Sequence, residues 1–120
     1  MKWLSICAVL LATAPIAAIA GVADVVAVKA SQSNGQWRFD VTVDHADTGW
    51  DHYANIWRVV GADGTVYGER VLAHPHVNER PFTRSLGGVN IPAGVSEVWV
   101  EAGDSEHGFG GLRMKVTLGE

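Results

Sequence analysis

The chain has 120 residues, of which 48% are hydrophobic and 18% are charged, and its formal net charge is −4. This length allows a single domain, and the hydrophobic fraction is too high for a disordered chain. The excess of acidic over basic residues disfavours a nucleic-acid-binding surface. Composition names no reaction, so function has to be inferred from where a few residues lie.

The first twenty residues have the features of a secretory signal peptide. Lys2 gives a positive start, residues 4–20 carry no charge, and the run ends in the small-x-small pattern of residues 18–20. This pattern predicts cleavage after Ala20. Residues 1–20 are then the signal peptide, and residues 21–120 form one mature domain without a membrane span, in the periplasm or secreted. A membrane anchor is one alternative, because the uncharged run approaches the length of a spanning helix. A lipoprotein anchor on Cys7 is another, although Cys7 comes early and no apolar run precedes it.

Cleavage would also remove Cys7, the only cysteine of the chain. Its loss excludes a cysteine nucleophile, a cysteine-ligated zinc site and an iron–sulfur cluster in the mature protein. Met114 would be the one remaining thioether, which excludes a methionine-rich cuprous site. A small exported domain without a disulfide must be held together by its core or by a metal ion.

The mature chain has the pattern of seven short strands. Apolar and polar residues alternate with period two in residues 36–44 and 112–118, which is typical of half-buried strands. Residues 22–30, 53–60, 65–72, 82–89 and 95–102 are further runs of strand length. We therefore predict an all-β fold, an immunoglobulin-like Greek-key β-sandwich of about seven strands, with a small β-barrel as the alternative. The predicted core comprises Trp37, Phe39, Val41, Val43, Val98, Val100, Leu112, Met114, Val116 and Leu118.

The histidines are concentrated in three of the predicted loops. Connections between successive antiparallel strands alternate between the two ends of a sandwich, so the loops at 45–52, 73–81 and 103–111 share one end. These three loops hold every histidine of the chain, namely His45, His52, His74, His76 and His107. They also carry five carboxylates, namely Asp47, Asp51, Glu79, Asp104 and Glu106. Neutral imidazole beside carboxylate is a typical environment for a divalent transition metal ion.

The most specific element of this set is the pair His74 and His76 around Pro75. Proline favours an extended conformation of the preceding residue, and residues two apart in an extended segment project to the same side. We therefore predict that His74 and His76 are the core metal ligands. His107 and His52 are the expected sources of a third ligand, and His45 is a candidate fourth. Both Cu(II) and Zn(II) accept imidazole, so the sequence does not choose between them.

Two segments of the chain resemble those of an uncharacterised family of small exported bacterial proteins. They are residues 45–54, HADTGWDHYA, and residues 74–86, HPHVNERPFTRSL. The resemblance spans most of the mature chain and implies export and a bacterial source. It implies no activity and no ligand.

The sequence thus predicts a periplasmic or secreted metal-binding protein that captures, delivers or senses Cu(II) or Zn(II). Its partners would be the metal ion and a periplasmic or outer-membrane protein, and no catalytic or organic-cofactor residues are predicted. The first alternative is a small metalloenzyme with an open histidine-ligated site. The second alternative is an adhesion or interaction module whose histidines respond to pH or contact a partner.

Overall fold

The computed structural model describes residues 21–119, which form two antiparallel β-sheets. The strands are β1 (Asp24–Ser33), β2 (Gln36–Asp44), β3 (Ala54–Val60), β4 (Val66–Val71), β5 (Phe82–Val89), β6 (Glu97–Asp104) and β7 (Met114–Thr117). The predicted signal peptide, with Lys2 and Cys7, lies outside the described residues. Within residues 21–119, no helix is long and apolar enough to cross a membrane.

One sheet has the order β1-β2-β5 and the other has the order β4-β3-β6-β7. The predicted all-β sandwich of seven strands is thereby confirmed, and the two separate sheets exclude the small barrel. Compared with the constant-type immunoglobulin arrangement, the fourth strand pairs with the third strand rather than with the fifth. The hairpin that links β3 and β4 sets this pairing.

Turn chemistry explains how two of the hairpins close. Asn34 and Gly35 connect β1 to β2 and both have positive φ, 55° and 79°, as a type I′ turn requires. Between β3 and β4, Asp63 accepts a hydrogen bond from the backbone N–H of Thr65 at 3.0 Å. Gly64 beside it has a φ of 88°, a conformation that glycine adopts without a steric penalty.

The core lies between the sheets and follows the alternation of β2 and β6. Phe39, Val41 and Val43 of β2 and Val98 and Val100 of β6 are fully buried. The largest fully buried side chains are Trp57 of β3, Phe39 of β2 and Phe82 of β5. Burial of these apolar surfaces is the main source of stability in a domain that has no cysteine among its described residues.

The prediction for the last strand is wrong at its start. Leu112 is 51% exposed and precedes β7, which starts at Met114. Its backbone is hydrogen-bonded to the start of β1 instead. Its N–H donates to Asp24 Oδ1 at 2.7 Å, and its carbonyl accepts from the N–H of Val25 at 2.9 Å. Met114 and Val116 are only partly buried, whereas Leu118 is buried.

Candidate metal site

Strand ends position the histidines at one end of the sandwich, as the alternation of loops predicts. His45 directly follows β2, and His52 lies in the same loop, just before β3. His107 follows β6 in a tight turn, in which the backbone N–H of Gly108 donates to the carbonyl of Asp104 at 3.1 Å. The loop between β6 and β7 was expected to begin at residue 103. The structure instead extends β6 to Asp104, which pairs with Ala54 of β3.

Three of the five histidines form a row that runs from the interior to the surface. The ring centroids of His45 and His52 lie 4.8 Å apart, and those of His52 and His107 lie 5.0 Å apart. The exposed fraction of the side chain rises along the row, from 0% for His45 to 17% for His52 and 39% for His107. We call these residues the histidine row. An ion could therefore enter from solvent at His107 and reach a buried imidazole.

Asp104 is the carboxylate that faces the histidine row. Its oxygens lie 3.4 Å from Nε2 of His45 and 3.5 Å from Nε2 of His52. Nδ1 of His107 lies 3.1 Å from Oδ1 of the same carboxylate. Ligand atoms on a tetrahedral ion at bond lengths of about 2.0–2.1 Å are about 3.3 Å apart. The ligand atoms of His45, His52 and Asp104 all lie within 4.8 Å of one another, so these three side chains are close enough to bind one ion, while His107 is hydrogen-bonded to Asp104.

Hydrogen bonds hold Asp104 in its charged form. Burial by itself would raise the pKa of the carboxyl group. The backbone N–H groups of His107 and Glu106, which donate to Oδ1 at 2.6 Å and 2.8 Å, outweigh this effect together with the ring of His107. The pKa of Asp104 is consequently below its ordinary value. A buried negative charge at this position favours a cation in front of it.

His45 is enclosed between acceptor atoms on both sides of its ring. Nδ1 lies 2.5 Å from Oδ1 of Asp47, and Nε2 lies 2.8 Å from the carbonyl oxygen of Gly21. Neither a carboxylate nor a carbonyl can donate a proton, so a neutral imidazole can satisfy only one of these contacts. The arrangement is satisfied by an imidazolium ion, or by a metal ion at Nε2 with a proton on Nδ1. In the second case Asp47 acts as the carboxylate partner that often orients a metal-ligating histidine.

Asp47 links the histidine row to the loop of the other two histidines. Its Oδ1 accepts from the N–H of Ala54 at 3.1 Å, and its Oδ2 accepts from the N–H of His76 at 2.7 Å. The carboxylate is completely buried and therefore fixes three segments of the chain by hydrogen bonds. In the sequence, Asp47 stands two residues after His45, and this position does not indicate that it joins distant segments.

His74 and His76 lie together but apart from the histidine row. Their ring centroids are 4.8 Å apart, so the predicted approach of the two rings is present. His76 is buried and stacks on Phe82 at 4.1 Å, whereas His74 is exposed. Neither ring nitrogen of His76 has a hydrogen-bond partner within residues 21–119. Burial, followed by the positive charges of Arg84 and of His74, lowers the pKa of His76, which favours the neutral ring.

Two groups of three side chains within residues 21–119 offer ligand atoms that all lie within 4.8 Å of one another. The first group consists of His45, His52 and Asp104, and the second of His52, Glu106 and His107. His52 belongs to both groups and is the central residue of the site. The backbone of Gly21 was not foreseen as part of the site, and its only signal in the sequence is its place after the predicted cleavage position.

Comparison with known proteins yields one informative relative. The chain is 40% identical over 95 residues to a protein of Halomicrobium mukohataei that is named as a candidate lipoprotein. The alignment covers 78% of this chain and 46% of that protein, so the chain spans about half the length of this relative. No family model matches the chain, and no solved structure matches it.

Proposed function

We propose that this protein is exported or associated with the cell envelope and binds a divalent transition metal ion, Cu(II) or Zn(II), for capture, delivery or sensing. The ligands are His45, His52 and Asp104, with His107 at the solvent side. Export is supported by the signal-peptide pattern of residues 1–20 and by the name of the relative as a candidate lipoprotein.

The observation that carries this proposal is the environment of His45. Its ring is fully buried, and both of its nitrogens face oxygen atoms that cannot donate. Nε2 of His52 likewise faces the Gly21 carbonyl oxygen at 2.9 Å and Asp104 at 3.5 Å. A neutral His52 can donate from Nε2 to the Gly21 carbonyl, whereas a neutral His45 cannot satisfy both of its acceptors. A metal ion at Nε2 of His45 resolves this mismatch with a proton on Nδ1 alone, and Asp104 supplies a charged ligand beside it.

His74 and His76 remain proposed ligands, in a second position. The unpaired ring nitrogens of buried His76 favour this candidate, since buried polar atoms without a partner are uncommon. Oδ2 of Asp47 lies 4.0 Å from Nδ1 of His76, so a carboxylate is near this position as well. An ion at this position would be held by two imidazoles, which leaves open positions for water or a delivered ligand.

A calorimetric titration with Cu(II) and Zn(II) at pH 7.5 tests the proposal and separates the two positions. The wild-type protein should bind more tightly than micromolar. His52→Ala should weaken binding about tenfold or more, because it removes the residue common to both ligand groups. His76→Ala reports on the second position, and Asp63→Ala, in the hairpin between β3 and β4, serves as the control that should bind as the wild type does.

Each outcome of this titration has a definite meaning. If His52→Ala weakens metal binding, the ion binds at the histidine row. If only His76→Ala weakens it, the ion binds at His74 and His76 instead. If the wild-type protein binds neither ion with a dissociation constant below micromolar, the proposal of metal binding is wrong. The adhesion or interaction module would then replace it. Elemental analysis of protein purified from its own compartment identifies the metal.

A further inference from the structure

Gly21 lies inside the histidine row rather than beside it. Its carbonyl oxygen is 2.8 Å from Nε2 of His45 and 2.9 Å from Nε2 of His52. A β-carbon built on Gly21 would come within 3.1 Å of Cε1 of His52 and 3.4 Å of Cε1 of His107. The backbone of this one residue is therefore adjacent to all three rings of the row.

Only glycine fits at this position without a shift of its neighbours. Its φ is 90°, which side chains rarely adopt, and the nearest ring atom is closer than a β-carbon contact normally allows. Backbone atoms rather than a side chain thus occupy the space between the histidines. A close approach of backbone to a ligand is one of the uses of glycine.

The residues after Gly21 hold it in place. Ala23 and Val25 are buried in the core. Asp24 accepts the N–H of Leu112 at 2.7 Å, and the N–H of Val25 donates to the carbonyl of Leu112 at 2.9 Å. Gly21 is therefore three residues from a point at which β1 is fixed to the loop that follows His107.

Cleavage at the predicted position changes the chemistry of Gly21. Hydrolysis of the Ala20–Gly21 amide by a signal peptidase consumes one water molecule and leaves a carboxyl group on Ala20 and an amine on Gly21. An amide nitrogen has no free lone pair for a metal ion, whereas the nitrogen of an amine has one. The amine and the carbonyl oxygen of the same residue can bind one ion together as a chelate.

We infer that the α-amino group of Gly21, released by cleavage after Ala20, is a further ligand of the metal ion at the histidine row. This inference rests on the proposed function. Its consequence is that the uncleaved chain has an incomplete site, so the protein acquires full affinity for its metal only during export. Premature loading with metal inside the cell would thereby be limited.

The experiment compares a free and a blocked α-amino group in otherwise identical protein. The full chain is expressed with its leader in a bacterial host, and the processed protein is verified by N-terminal sequencing. Lys29→Arg and Lys115→Arg are introduced together, so that the α-amine is the only amine of the processed chain. Half of the protein is acetylated, and Cu(II) binding is measured by calorimetry and by electron paramagnetic resonance. Thermal unfolding without metal checks that acetylation leaves the fold intact.

We expect acetylation to weaken Cu(II) binding about tenfold or more. The electron paramagnetic resonance spectrum should then report one nitrogen ligand fewer. Equal affinity and an unchanged spectrum would overturn this inference and leave the proposed metal site standing. A processed N-terminus at a residue other than Gly21 would also overturn it. If the unmodified processed protein fails to bind Cu(II), the proposed function itself fails.

Discussion

Asp47 and His45 form a buried pair in which Oδ1 of the carboxylate and Nδ1 of the ring are 2.5 Å apart and neither side chain reaches solvent. The same carboxylate accepts the backbone N–H groups of Ala54 and His76. One aspartate thus determines which nitrogen of His45 faces the site and also joins the two loops that carry four of the five histidines.

Removal of this carboxylate should destabilise the whole domain. Asp47→Ala leaves Nδ1 of the buried His45 and two backbone N–H groups without their partner, so we expect a loss of about 3–5 kcal/mol in the free energy of unfolding. Denaturant unfolding measures it. Asp51→Ala is the matched control, because Asp51 is exposed in the same loop. Its effect should stay within about 0.5 kcal/mol, and equal losses for the two variants would contradict the assigned role of Asp47.

A methyl group at Gly111 should disturb the loop that carries His107. A β-carbon there would lie 2.0 Å from the carbonyl oxygen of Ala23, a backbone atom that cannot move aside cheaply. We expect Gly111→Ala to cost about 1–3 kcal/mol or more in stability and to weaken metal binding. The neighbouring Gly110→Ala meets nothing closer than 3.5 Å and should resemble the wild type in both assays. Identical behaviour of the two variants would show that this close approach is absent in solution.

Metal affinity should fall as the pH is lowered. Imidazole binds a metal ion only when it is neutral, so protons compete with the ion below the ordinary imidazole pKa of about 6.5. Titrations at pH 7.5 and pH 5 should differ by more than tenfold in affinity, which is about 1.4 kcal/mol. The lowered pKa of His76 keeps its ring neutral further into the acidic range. Affinity that persists at pH 5 and disappears in His76→Ala would therefore locate the ion at His76.

The alternation of β2 predicts opposite effects for two adjacent substitutions. Val41 is fully buried, so Val41→Asp places an unpaired charge in the core and should prevent folding, with a loss above about 4 kcal/mol. Thr42 lies on the other face, where its hydroxyl oxygen is 2.8 Å from that of Thr83. Thr42→Asp can still accept from Thr83 and should cost only about 0.5 kcal/mol. Circular dichroism and thermal unfolding compare the two, and similar effects would mean that the alternation of β2 has been misread.

The sequence by itself determined the sandwich and the end at which its histidines gather. Period-two alternation in β2 fixes which side chains face the core, because a strand presents successive residues to opposite faces. The alternation of antiparallel strands then places the three histidine-bearing loops together. Both inferences depend only on local pattern and on chain order, which the sequence contains in full.

Only the tertiary structure decided which side chains meet. His45 is buried while His74 is exposed, although each follows a predicted strand, because Asp47 folds back to bind the ring of His45 and the backbone of His76. The backbone of Gly21 reaches His45 and His52 across 24 and 31 residues of chain, and no local pattern encodes such contacts. Leu112 follows the alternation of β7 yet lies exposed, because hydrogen bonds to Asp24 and Val25 hold its backbone against β1. Hydrogen bonds between distant segments form only when the loops are packed against one another. The pattern of residues along the chain therefore does not reveal them.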